Sequence, residues 1–147
     1  MPMQCNIVTQ EKTVYSGEVD YVSLPGMEGV MGVLPNHSAT LTTLTFGEVM
    51  VRHAGQDEYF AVGGGFAEIQ PDKVTVLADS AEHAEEIDLE RAQAARERAE
   101  KAMTEGVPED PVRYAQIQQA LQRAQIRVGV GRKRARRRTT PHLAGDQ

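Results

Sequence analysis

Near residue 85 the chain changes its pattern, and that change limits what it can fold into. Before it, short runs rich in Val, Thr, Tyr and Phe are punctuated by Gly and Pro. After it, Ala, Glu, Gln and Arg recur at helical spacing, with few β-branched residues. Alternation with period 2 builds strands and a period of 3.6 builds helices, so one uniform architecture cannot hold both halves. A β-rich body followed by a helical arm can. No local motif sets out a Ser, His and Asp triad or another catalytic constellation, which points to a mechanical or regulatory part rather than a free-standing enzyme.

Residues 4–79 read as strands. The runs are Val14-Tyr15, Glu18–Leu24, Val30–Leu34, Ala39–Leu44, Glu48–His53, Glu58–Val62, Phe66–Gln70 and Lys73–Leu77. The breakers are Ser16-Gly17, Pro25-Gly26, Pro35-Asn36, Phe46-Gly47, the stretch from Ala54 to Asp57, Gly63-Gly64-Gly65 and Pro71-Asp72. Turn signals at intervals of roughly 8–12 residues favour an antiparallel sandwich or barrel, and the prolines forbid a helix through the region. The run Gly63-Gly64-Gly65 lacks a following helix and a Lys-Ser or Lys-Thr pair, so it is not a phosphate-binding loop. Its expected use is a positive-φ connection or a bulge.

In the second half, Asp88 can cap a helix, with Glu90 in the first turn where the dipole favours an acid. That helix runs to about Thr104 and stops at Gly106-Val107-Pro108. A second helix starts near Asp110-Pro111, with Asp as cap and Pro at the first helical position. Val112, Ala115, Ile117, Ala120, Leu121, Ala124 and Val128 give it an apolar stripe. Ala92, Ala95, Ala99, Ala102 and Met103 share a face of the first helix. A seam of small residues packs closely but buries little area, and at ~25 cal/mol per Å² it is weakly held. Gly129 and Gly131 are expected to end the second helix. Asp88, Arg91 and Arg98 fall on one side of the first helix, and Arg123 and Arg127 on one side of the second. Two readings stand: a solvated face with i, i+4 partners, or guanidinium groups converging beside an Ala-lined wall that suits phosphates and a purine ring.

Charge is unevenly placed. The chain of 147 residues carries a net −5. Residues 129–147 hold six of the 16 basic residues and a single acid, Asp146, for a local +5 against −10 elsewhere. Three readings of that tail compete: a solvated extension, an electrostatic clamp on an acidic partner surface, or a contact with nucleic acid or anionic lipid. It has no aromatic residue, which argues against stacking on single strands. Cys5 is the only cysteine, so no internal disulfide forms. His37, His53, His83 and His142 show no metal spacing with Cys5 or with each other. No apolar run approaches the ~18 residues of a membrane span, and the first residues lack the basic and apolar regions of a secretory signal.

The ordered series Gly17, Val22 to Gly26, Glu28-Gly29, Gly32 to His37, Leu44, Gly47, Val62 to Glu68, Val74 to Asp79 and Ile87-Asp88 with Arg91-Ala92 resembles the ε subunits of F-type ATP synthases, over about residues 4–128. The resemblance implies a β + α fold: an N-terminal antiparallel β-sandwich (1–84), then a C-terminal antiparallel two-helix hairpin (85–128); beyond it, the Arg-rich composition with Pro141 reads as a disordered basic tail (129–147). It implies a non-catalytic central-stalk subunit that couples rotation and inhibits ATP hydrolysis through a movable hairpin. The implied partners are the γ subunit, the c-subunit ring and the α/β catalytic head, with no nucleic acid. The implied location is the cytoplasmic face of a bacterial plasma membrane, reached only through the complex.

No cofactor is required, but some members bind regulatory Mg-ATP on the folded hairpin. Matched residue by residue, the implied nucleotide positions are Glu82, Ile87, Asp88, Arg91, Ala92, Arg98, Arg123 and Arg127. Gln93 departs from the Lys of ATP-binding members, which weakens phosphate attraction. Glu28, Val30 and His37 fall where partner contacts to γ and the c ring are implied. Val30 stands where many members carry an acid, so that contact would be apolar or fall to Glu28. His37 also reads simply as a turn residue after Pro35-Asn36. A rival class is a free-standing adaptor whose tail binds nucleic acid; salt-sensitive nucleic-acid binding would mark it.

Overall fold

A computed structural model describes residues 2–105 and 109–139. They fall into two units, Met1–Glu86 and Ile87–Gln147. The first holds eight strands: β1 (Met3–Val8), β2 (Thr13–Val19), β3 (Tyr21–Gly26), β4 (Gly29–Val33), β5 (Thr40–His53), β6 (Gln56–Gln70), β7 (Lys73–Ala78) and β8 (Ala81–His83). Their order is β2-β1-β7-β6-β5-β3-β4, with β8 beside β6. The result is a β-sandwich around one core. Neighbours pair antiparallel except β1 and β7, which run parallel with Cys5 opposite Val74.

Alternation puts one face of each strand inside. In β1, Met3, Cys5 and Ile7 are buried, and across β7 so are Val74, Val76 and Ala78. Phe60, the largest fully buried side chain, meets Tyr15 edge-on at 5.5 Å between ring centres. Burial pushes the Cys5 thiol up to about 12, so it sits in the core as a small neutral apolar group.

The expected strand boundaries differ from the structure in four places, the first being Ser16-Gly17, through which β2 runs unbroken. Ala39–Leu44 and Glu48–His53 join into β5, and Glu58–Val62 and Phe66–Gln70 join into β6. At the joints glycine bends the ladder instead of ending it: Gly64 and Gly65 take φ of 100° and 120° within β6. The pairing passes from Leu44 opposite Gly65 to Phe46 opposite Gly63. A side chain at Gly65 would run into the Leu77 carbonyl, and one at Gly47 into Pro25. The run Glu18–Leu24, by contrast, is two strands separated at Asp20, whose Oδ2 accepts from the Ala54 N–H at 3.1 Å. Ala54 and Gly55, at φ 52° and 76°, close the β5–β6 hairpin, with the paired positive φ values of a tight hairpin turn.

The second unit is a helical pair, α1 (Leu89–Thr104) and α2 (Pro111–Thr139). Asp88 caps α1 by accepting from the Arg91 N–H at 3.2 Å, and Asp110 caps α2 by accepting from the Val112 N–H at 3.0 Å. The expected stop at Gly106-Val107-Pro108 lies outside the described residues.

α2 runs ten residues past Gly129, where the sequence pattern ends it. Gly131 is not a terminator here. A Cβ at this position would stand 3.2 Å from both Ile87 Cγ2 and Leu89 Cδ1, so the missing side chain lets α2 approach the start of α1. Arg and Ala beyond it are good helix formers, which offsets the ~1 kcal/mol that each glycine costs. The helix therefore replaces the expected disorder over 129–139; the rest of that expected tail lies outside the described residues. Among the described residues no helix is long and apolar enough to cross a membrane.

Candidate functional site

The arginines of the hairpin come together as side chains of facing helices. Arg98 on α1 and Arg123 and Arg127 on α2 rim a cleft of about 390 Å³. Its wall is Ala95, Ala99 and Ala102 from one helix and Ile117, Ala120 and Ala124 from the other. The spacing explains the arrangement. Arg98 follows Ala95 by three residues, and Arg123 and Arg127 flank Ala124 on one side of α2. The volume lies in the range of small-molecule sites, and three guanidinium groups above an apolar floor can take an anion attached to a flat apolar body.

The seam beneath this cleft is unevenly closed. Ala92, Ala99, Ala124 and Val128 are buried, whereas Val112 near the other end is 65% exposed. Arg96 sits on the same stripe as Ala92 and Ala99. Its Nε is buried and lies 3.7 Å from Glu100 Oε1. The buried Nε adds a desolvation cost to a contact that already buries little apolar area.

The other expected nucleotide positions are not part of the cleft lining. Asp88 is the cap of α1, and Arg91 supplies the amide it accepts from. Ile87 and Ala92 are buried, at 2% and 0% exposure. None of these four lines the cleft. Glu82 lies on β8 opposite Ala61, in the sandwich unit. The alanines of the floor are the Ala-lined wall that the sequence offered beside the arginines, and Ile117 joins them.

On the sandwich, the turn after β3 and the start of β4 form a second concavity with β5, lined by residues from Gly26 to Met31 and from Leu41 to Thr43. Glu28 is exposed on this surface, and Val30 and Met27 are 79% and 69% exposed. The hairpin projects because its two-residue turn lies between Gly26 and Gly29, the latter at φ 137°. His37 does not line this concavity; its Nδ1 is hydrogen-bonded to Ser38 O at 2.8 Å, beside Asn36 at φ 68°. Among the described residues no group of three or more His, Cys, Asp or Glu could hold a metal ion.

Sandwich, capped hairpin and arginine cleft define a two-part class: a β domain continued by a paired-helix arm. Family models match both parts, the ATP synthase delta/epsilon chain β-sandwich domain over residues 2–84 and the delta/epsilon chain long α-helix domain over residues 85–130. The chain belongs to the delta/epsilon chain family of the ATP synthases. It is 45% identical to the ATP synthase epsilon chain of Herpetosiphon aurantiacus, over 93% of this chain and 99% of that one. It is 47% identical to that of Syntrophobacter fumaroxidans, over 89% and 96%. Among solved structures, it is similar to a chain of the Euglena gracilis mitochondrial ATP synthase (TM-score 0.75, 25% identity, covering 91% of this chain and 81% of that one). A chain of the Tetrahymena thermophila mitochondrial enzyme's central stalk and c-ring shares the fold at TM-score 0.63 and 10% identity, over 89% and 97%.

Proposed function

We propose that this chain is the ε subunit of a proton-translocating F-type ATP synthase, a central-stalk part that transmits rotation and restrains hydrolysis with its helical arm. The observation that carries the reading is the hairpin itself: a half-open, alanine-rich seam with an arginine-rimmed cleft along one side. A weak seam allows two states, one folded and one extended, whose populations shift with whatever binds only one of them. The cleft gives the folded state a ligand, Mg-ATP, with Arg98, Arg123 and Arg127 facing the phosphates and the alanines the base. At a hundred times its Kd, such a ligand stabilises the folded arm by about 2.7 kcal/mol, close to a hundredfold in population.

The sandwich supplies the fixed end. Its exposed Val30 and Met27 beside Glu28 form a mixed apolar and acidic knob suited to the loops of the c ring, while the γ subunit and the α/β head are the arm's partners. The chain then sits on the cytoplasmic face of a bacterial plasma membrane through the complex alone.

Titration calorimetry of the purified chain with Mg-ATP tests the cleft. Arg123→Ala is expected to abolish the binding heat, while Arg113→Ala, on the same helix but outside the cleft lining, retains it. Equal heats for both variants would place the nucleotide elsewhere.

A further inference from the structure

The last strand of the sandwich ends in a histidine whose two ring nitrogens are committed differently. His83 Nδ1 accepts the backbone N–H of Glu85 at 3.0 Å. Its Nε2 lies 3.1 Å from Glu58 Oε1 on the adjoining strand β6. The ring also stands edge-on to Phe60, with centres 4.8 Å apart and planes at 89°. A nitrogen that accepts an amide N–H carries no proton, so the resident species is the neutral ring with its hydrogen on Nε2, donating to the Glu58 carboxylate.

The position of this ring makes the choice consequential. The Glu85 amide belongs to the single 3-10 turn Ala84–Glu86, which runs directly into the Asp88 cap of α1. We propose that His83 is a pH-operated latch on the turn that leads from the sandwich into the arm. The neutral ring closes the turn, and the imidazolium opens it. Protonation puts a hydrogen on Nδ1, where it faces the Glu85 N–H, and two donors repel. The Glu58 contact meanwhile becomes a charge-assisted pair and holds the ring where it is. Flipping the ring does not rescue the amide, because both nitrogens of the imidazolium are donors and no acceptor remains, so the imidazolium cannot keep both bonds.

Charged and titratable groups surround the ring. β6 presents Glu58, and β2 presents Tyr15, whose hydroxyl is raised above its ordinary range first by burial and then by the Glu58 charge. Glu82 shares β8, and Glu86 on the turn lies 3.9 Å from Lys12 Nζ. Protonation of the ring therefore removes one tie from the arm's root. That the loosened root frees the arm rests on the proposed two-state hairpin; the latch itself does not.

Nitrogen NMR of the full chain, labelled at histidine and at backbone amides and titrated between about pH 8 and pH 5, tests the latch. The expected result is Nε2–H with bare Nδ1 at the alkaline end. The Glu85 amide should shift with the midpoint of the His83 ring and lose about fivefold in exchange protection, the worth of one hydrogen bond. A ring protonated on Nδ1 at the alkaline end, or a Glu85 amide indifferent to the His83 titration, would overturn the proposal. If the amide follows the ring but hydrolysis by the assembled complex does not respond to removal of the arm, the latch stands and the arm reading fails.

Discussion

Two glycines two residues apart on α2 give opposite expectations when each receives a single methyl group. At Gly129 an added Cβ meets nothing within 4 Å. Replacing it by Ala therefore gains the helix-propensity difference, ~1 kcal/mol, with no packing penalty. At Gly131 the same gain is available, but the new Cβ stands 3.2 Å from Ile87 Cγ2 and from Leu89 Cδ1. Ile87 is only 2% exposed and has little room to retreat, and crowding of this kind costs about 1–3 kcal/mol. Gly131→Ala should thus be neutral to destabilising by about 2 kcal/mol. Native-state amide exchange along α2 in the full chain separates the two. Gly129→Ala should raise protection about fivefold, the equivalent of ~1 kcal/mol. Gly131→Ala should leave it unchanged or lower it. Equal stabilisation by both would mean that α2 does not dock against the start of α1, and no effect at Gly129 would mean that the helix ends before it.

Other consequences follow from the sandwich. Gly65→Ala forces a side chain into φ 120° and against the Leu77 carbonyl; a loss of more than about 2 kcal/mol is expected in denaturant unfolding, and a loss below ~0.5 would show that the β6 bend tolerates a side chain. Cys5 binds its proton more tightly folded than unfolded, since burial lifts its thiol from 9.0 to about 12. The sign is then fixed: this contribution is complete below pH 9.0 and is lost as pH rises toward about 12. The slope approaches about 1 kcal/mol per pH unit. Cys5→Ala should remove that slope, and an unchanged alkaline decline would assign it to other groups.

How much could be read in advance depends on what each residue answers to. The helix starts at Asp88 and Asp110 were legible because capping is local: a short acceptor side chain before an Ala- or Pro-led run has one use. The strand interiors were legible for the same reason, through alternation. The glycines were not, because their role is set by what comes near them from elsewhere. Gly47 answers to Pro25, Gly65 to Leu77 and Gly131 to Ile87 and Leu89; all three were read as ends of elements because a sequence shows no neighbour, although the positive φ of Gly64 and Gly65 was legible in the run Gly63-Gly64-Gly65. The parallel β1–β7 pair was hidden likewise, since its strands lie at opposite ends of the sandwich sequence. In the cleft, Arg98, Arg123 and Arg127 followed from helical spacing. From the same motif, Asp88 caps α1 and Ala92 is buried, and neither they nor Arg91 line the cleft. The His83 latch left no sequence signal at all, because it needs Glu58 and the Glu85 amide placed on either side of one ring.

The account rests on an arm that restrains the motor and a sandwich that stays attached to it. Its most direct test is the ATP hydrolysis rate of the assembled synthase when this chain is cut after residue 85. Retained assembly with a clear rise in hydrolysis is the expected result; retained assembly with an unchanged rate would contradict it.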